Sequence, residues 1–205
     1  MKLTWFGHSC FKLESADGVL VFDPSENGRV PGYYYLPENF SADKVICSHS
    51  HRDHSAEELV SLTGKEYGGK VTLVNSFHDE ANGTKRGNNA IAMVETEGFK
   101  VIHMGDQGCE LTDEQNELLK GADVLLIPVG GFYTIDGKTA RAMADKLEAK
   151  VVIPMHYRFD DKGYGEIATI DEFLSVSENV KKYDTDSIVI DADTTPHTAV
   201  LSYLG

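Results

Sequence analysis

The sequence predicts a mixed α/β (α+β) chain in which two sheets pack face to face with helices outside. Both halves begin with short β-branched or aromatic runs and return to helical patterns. Asp23, His49, Asp106 and His156 each follow an apolar strand-like run. Strand ends are where α/β architectures assemble sites from segments remote in sequence.

Taken in order, residues 2–7, 11–14 and 18–22 read as strands, with Asp17-Gly18 a hairpin signal. Residues 23–43 lack periodicity and carry Gly28, Pro31, Gly32 and Pro37, so they form a long loop of the kind that is often functional. Its Tyr33-Tyr34-Tyr35-Leu36 patch fits a substrate lid or packing on the domain's edge. Residues 44–47 form a strand. Ser55 with Glu58 three residues on reads as a capping box, which starts a helix directly after His54. Strands follow at 70–74, 90–95 and 99–104, the last two meeting across Glu97-Gly98. Thr112 as N-cap and Gln115 at the third helical position open a helix to Lys120. An apolar strand at 123–128 leads to Gly130-Gly131, and a helix covers 138–148. A strand at 150–154 runs into Met155-His156. A helix at 170–176 and strands at 187–190 and 198–203 complete the pattern.

Length and charge narrow the function. The 205 residues suit one domain, 1–205, with enough apolar content for a large core. A net charge of −14 with no basic run counts against nucleic acid and favours a small-molecule substrate. A small anionic substrate remains compatible, because bound divalent cations would reverse the local field. The three cysteines, Cys10, Cys47 and Cys109, are far apart and odd in number, and the start of the sequence is not signal-like. With no run of membrane-spanning length, the expectation is a soluble cytoplasmic protein with no membrane partner.

The chemistry concentrates in Cys47-Ser48-His49-Ser50-His51-Arg52-Asp53-His54-Ser55, where three of eight histidines and an aspartate fall within six residues. Imidazole suits transition metals and carboxylate adds a harder oxygen donor. His49 and His51 can turn towards one ion, and Asp53 and His54 towards a second. His78 and His156 follow strands among small or polar neighbours and join the candidate ligands. His8, in Gly7-His8-Ser9-Cys10, fits either a structural role or one lining the site and handling protons. His103, inside an apolar strand, reads as a core histidine, His197 as a surface turn residue and Cys109 as a small core thiol.

The series His49-x-His51-x-Asp53-His54, His78, Asp106 and His156 resembles the metal signature of the metallo-β-lactamase superfamily. Gly7-His8-Ser9, Ser76-Phe77-His78-Asp79, His103-x-Gly105-Asp106, Pro128-x-Gly130-Gly131 and Pro154-Met155-His156-Tyr157 resemble the small bacterial metal-dependent hydrolases related to ascorbate-phosphate lactonases. The resemblance implies a four-layer αββα sandwich with a dinuclear site at one edge of the sheets. It puts His49, His51 and His78 on the first ion and Asp53, His54 and His156 on the second, with Asp106 bridging. Asp23 would orient the histidine loop. Two divalent ions, zinc first and manganese, iron or nickel as alternatives, would lower the pKa of a bridging water and generate the nucleophile. The implied enzyme is a hydrolase of a small ester, lactone or phosphoester, with Asp53 taking the proton and His8 able to protonate the leaving group. An iron-dependent redox protein and a non-catalytic metal-binding module are the alternatives on the same ligands.

Overall fold

The computed structural model describes residues 1–33 and 36–204, so Tyr34 and Tyr35 of the tyrosine patch lie outside the described residues. The first half holds β1 (Lys2–Trp5), β2 (Phe11–Ser15), β3 (Gly18–Phe22), β4 (Ser41–Ala42), β5 (Lys44–Ile46) and β6 (Ser61–Leu62). Then come β7 (Lys70–Phe77), β8 (Asn88–Thr96), β9 (Phe99–His103), α1 (Asp113–Leu119), β10 (Val124–Pro128) and α2 (Gly137–Lys146). The remainder is β11 (Val151–Met155), α3 (Asp171–Ser175), β12 (Val180–Lys182), β13 (Ser187–Val189) and β14 (His197–Val200). One sheet has the order β13-β1-β2-β3-β5, and a larger one runs β12-β14-β11-β10-β9-β8-β7.

Alternation along β3 explains how the sheets stack. Leu20 and Phe22 point into the main core with Leu3, Trp5 and Leu13, while Val19 and Val21 face the opposite side. Ala92, Leu126 and Ile153 of the larger sheet share one face with His103, whose ring stacks on Phe22 of β3, so the two sheets pack face to face. Each large apolar side chain buried there contributes about 1.5–3 kcal/mol. Every residue of β10 and β11 is buried, as expected of parallel strands covered on both faces. Helix α2 buries Ala140, Met143 and Ala144, and its N-cap Asp136 accepts a hydrogen bond from the Thr139 N–H. The predicted capping box on α1 is present, with Thr112 and Gln115 in reciprocal contact. Glu97 and Gly98 both have positive φ, 50° and 80°, which suits the two-residue turn between β8 and β9.

The outer face of the smaller sheet departs from expectation. Cys10, Val21, Phe40, Ala42 and Val60 form a second apolar cluster there, beside the β4–β6 ribbon. The expected helix after His54 is a single 3₁₀ turn at Glu57–Leu59, without a side-chain cap. Ser55 Oγ donates instead to the Ser50 carbonyl, and Glu58 pairs with Arg52. The Ala56 and Ser61 N–H groups bond the Pro24 and Phe40 carbonyls at 2.8 Å each, tying the segment to the long loop. Tertiary pairing thus overrides a local capping signal.

Two other expectations change. His197 begins β14 and is buried, with Nδ1 2.7 Å from the Thr195 carbonyl and Nε2 2.8 Å from the Tyr183 hydroxyl. Cys109 is half-buried, its Sγ 3.4 Å from Gln107 Nε2, and stands outside the core. Strand β12, exposed and lysine-bearing, carried no apolar alternation to announce it. No helix is long and apolar enough to cross a membrane among the described residues.

Candidate metal centre

The site begins at Asp23, which directly follows β3 with a left-handed φ of 43°. Its Oδ1 accepts from the Ser48 N–H at 2.7 Å, and its Oδ2 from Ser48 Oγ at 2.6 Å and His54 Nδ1 at 2.7 Å. Because Nδ1 of His54 donates, the lone pair lies on Nε2, which points inward without a partner. Ser48 spends its proton on Asp23, so its oxygen accepts from His49 Nδ1 at 2.9 Å and likewise leaves Nε2 free. His78 donates Nδ1–H to the Tyr133 carbonyl at 3.1 Å. Three imidazoles are therefore fixed in the tautomer that presents Nε2 to a metal.

Asp106 occupies the middle. Its Oδ2 lies 3.1 Å from His78 Nε2, 3.2 Å from His156 Nε2, 3.3 Å from His54 Nε2 and 3.9 Å from His49 Nε2. The Asp106 N–H donates to Asn89 Oδ1 at 3.0 Å, and Asn89 Nδ2 donates to the Met104 carbonyl at 2.8 Å. Gly105, at φ 57°, must be glycine. A Cβ there would stand 2.3 Å from Asn89 Oδ1 and 2.5 Å from Ser48 Cβ.

Two histidine trios emerge, each with its ligand atoms within 4.8 Å of one another: His49, His51 and His78, and His8, His54 and His156. His49, His54 and Asp106 form a third such set between them. Donors about 2 Å from one ion lie about 3–4 Å apart, so each trio matches an ion's shell. Asp53 Oδ2 sits at the side of the second trio, 3.7 Å from His54 Nε2 and 3.6 Å from His8 Nε2. The fit to metal rests on buried atoms left without partners: His8 Nδ1 and Nε2, His49 Nε2, His54 Nε2, His156 Nδ1 and Asp106 Oδ1. Such atoms cost about 1–3 kcal/mol each when unmet.

The electrostatics agree. Burial lowers the His49 pKa to about 3, and burial with His156 close by lowers that of His8 to about 4. Both imidazoles thus stay neutral, the state that ligates. Burial works to raise the Asp106 pKa, yet His156 and His54 outweigh it and keep the carboxyl well below the usual range. Burial likewise pushes Asp53 up, and the neighbouring His8 and His54 overcome it, leaving a carboxylate. His54 is the exception: burial pulls its pKa down, yet Asp106 and Asp23 prevail and raise it, favouring a second ring proton that a bound ion would displace from Nε2.

His103 shows how a structural histidine behaves here. Nε2–H donates to the Ser9 carbonyl at 2.9 Å, Nδ1 accepts from the Gly105 N–H at 3.1 Å, and the ring stacks on Phe22 at 4.9 Å. Burial is the main cause of its lowered pKa. A group with a depressed histidine pKa stabilises above the unfolded value of about 6.5, and that contribution shrinks as pH falls below it. His103→Phe is expected to lose about 1–3 kcal/mol of unfolding free energy at pH 7, because two buried backbone groups lose their partner. Denaturant titration checks this, and the difference from the parent should narrow towards pH 5.

A cleft of about 470 Å³ opens over the centre, lined by His51, Asp53, His78, Asp106 and His156 from the predicted set. The sequence reading missed Arg29, Arg86 and Tyr164, which line it too. The Tyr164 hydroxyl donates to Asp53 Oδ2 at 3.2 Å. A tyrosine held between Gly163 and Gly165 was the available signal.

A model of the beta-lactamase superfamily domain matches residues 2–156. The chain belongs to the β-lactamase superfamily. It is 30% identical to a metal-dependent hydrolase of Methanosphaerula palustris over 77% of this chain and 84% of that one. A metal-dependent hydrolase of Archaeoglobus fulgidus is 29% identical over 77% and 83%. The crystal structure of a candidate Zn-dependent hydrolase of the metallo-beta-lactamase superfamily from Thermotoga maritima matches at TM-score 0.77. It shares 34% identity, covering 98% of this chain and 97% of that one. As a member of this superfamily, the chain is a metal-dependent hydrolase with the mixed α/β fold of its relatives.

Proposed function

We propose that the chain hydrolyses a small anionic ester, lactone or phosphoester with two divalent ions, zinc first, and manganese, iron or nickel as alternatives. His49, His51 and His78 would hold one ion, and Asp53, His54 and His156 the other, with Asp106 between them. The observation that carries this reading is the convergence of four histidine Nε2 atoms on Asp106 Oδ2 beneath the cleft. When bound, the ions supply Lewis acidity and a nucleophile at neutral pH.

The chain's own residues supply the rest. Asp53, ionised and facing the cleft, takes up the proton released as the nucleophile attacks. Tyr164 holds that carboxylate's orientation through its hydrogen bond. Asp23 and Ser48 keep His49 and His54 in the ligating tautomer. The anionic preference comes from the arginines. Three of the chain's five, Arg29, Arg52 and Arg86, line the cleft, and none of the lysines does. Arg52 is paired with Glu26 and Glu58. The Arg29 and Arg86 guanidinium groups have no carboxylate partner among the described residues, and Arg86 stacks over Tyr133 at 5.5 Å. Guanidinium is suited to bidentate capture of carboxylate or phosphate.

Initial rates on p-nitrophenyl acetate, a thiolactone, p-nitrophenyl phosphate and bis(p-nitrophenyl) phosphate test the reading, before and after chelation and zinc reconstitution. Turnover is expected to vanish with the metal, return with it, and favour the anionic probes. Replacing both arginines by Ala should cut kcat/KM on those probes by about tenfold or more, the loss of a charge-assisted contact of about 1.5–3 kcal/mol. A zinc-loaded protein inert towards all four probes would sink the proposal.

A further inference from the structure

We propose that His8 is itself a ligand of the second ion, completing a three-imidazole set with His54 and His156. This rests on the two-ion reading above and replaces the proton-donor role for His8.

The turn that carries His8 is built at a cost. Gly7 and His8 are both left-handed, at φ 92° and 50°, the second uncommon for a residue with a side chain. A Cβ on Gly7 would stand 2.3 Å from the Tyr33 ring, so only glycine lets the chain turn there. The turn is locked from several sides. The Cys10 N–H donates to the Gly7 carbonyl at 2.9 Å, and the Phe6 N–H to the Cys10 carbonyl at 2.9 Å. The His8 carbonyl accepts from Trp5 Nε1 at 3.0 Å and from the His156 N–H at 3.2 Å. Backbone strain held this firmly aims one side chain.

That side chain points at the second trio. Its ring centroid is 4.0 Å from that of His156 and 5.3 Å from that of His54. It is 1% exposed, and neither ring nitrogen has a hydrogen-bond partner. The nearest carboxylate oxygen, Asp53 Oδ2, is 3.6 Å from Nε2, beyond a hydrogen bond. His103, equally buried, satisfies both of its nitrogens within the protein. A purely structural His8 would be expected to do the same. One of its nitrogens lies within 4.8 Å of ligand atoms of both His54 and His156, close enough for all three to meet one ion.

The test is cobalt(II) titration of the apoprotein of the parent and of His8→Ala and His8→Gln, read by the visible d–d bands and by equilibrium dialysis. The parent should take up two ions. In both variants the first ion should bind as before, while the second weakens by about tenfold or more and its band changes intensity. Imidazole added to His8→Ala should restore the band. On the unaltered cobalt protein, paramagnetically shifted N–H resonances should arise from six imidazoles. Only five are expected if His8 does not ligate, which keeps the proposal testable should a variant fail to fold. Two ions bound by both variants with parental affinity and spectra would overturn the His8 assignment alone. A parent that takes up one ion or none would overturn the two-ion reading, and this assignment with it.

Discussion

Asp106→Ala is expected to cost about a thousandfold or more in kcat/KM and to release metal from both halves of the centre. Its Oδ2 lies within 3.9 Å of His49, His54, His78 and His156 Nε2 together. Removing it leaves a histidine-only first site and takes away the carboxylate between the two sites, with Asp53 the remaining anionic donor at the second. On the proposed two-ion reading, the ions' contribution to transition-state stabilisation, several kcal/mol, would go with their placement. Elemental analysis after dialysis should find fewer than half the ions of the parent. Asp106→Asn separates charge from shape, since it keeps an oxygen donor near the same place while removing the negative charge. It should retain more metal than the Ala variant and still lose most activity. A fully metallated, fully active Asp106→Ala protein would refute the central role of this carboxylate.

The second large effect is expected at a position with no side chain. Gly130 follows β10, and a Cβ on it would lie 2.2 Å from the His156 carbonyl oxygen. Backbone cannot swing aside as a flexible side chain does. Gly130→Ala therefore has to displace the strand end that delivers His156, whose own φ is already left-handed at 52°. Overpacking of this kind costs about 1–3 kcal/mol of stability. A displacement of about 1 Å at a catalytic centre costs about a hundredfold in rate. The expected outcome is a folded protein of lowered melting temperature, weakened second-ion binding and about a hundredfold lower kcat. Gly165→Ala, where a Cβ meets nothing within 4 Å, serves as the control and should be close to neutral. Equal behaviour of the two variants would show that the tight approach at Gly130 does not govern His156.

These two positions illustrate what a sequence can disclose. The cluster from His49 to His54 was legible because its donors lie on one turn. Asp23, His78, Asp106 and His156 were legible because each follows a strand, and strand ends converge. The two facing sheets followed from period-two alternation and from the fully apolar runs of β10 and β11. Arg29, Arg86 and Tyr164 were not legible. They come from aperiodic loops, and only the tertiary structure brings them over the cleft. The helix expected after His54 was misread for the opposite reason. Its local signal was strong, but the pairing of this segment with the long loop outweighed it. His197 looked exposed among polar neighbours, yet its register opposite Val151 places it in the larger sheet.

Strand β1 lies between β2, its neighbour in sequence, and β13, with Lys2 opposite Val189 and the Trp5 N–H bonded to the Asp186 carbonyl. β1 therefore leaves the ribosome well before the strand that covers its edge. At about 5–20 residues per second, β1 spends on the order of ten seconds or more with one edge open. An open edge is a template for aggregation. The nascent chain thus has a long interval in which a holding chaperone has something to cover, and the sheet beside His8 closes only once β13 has emerged.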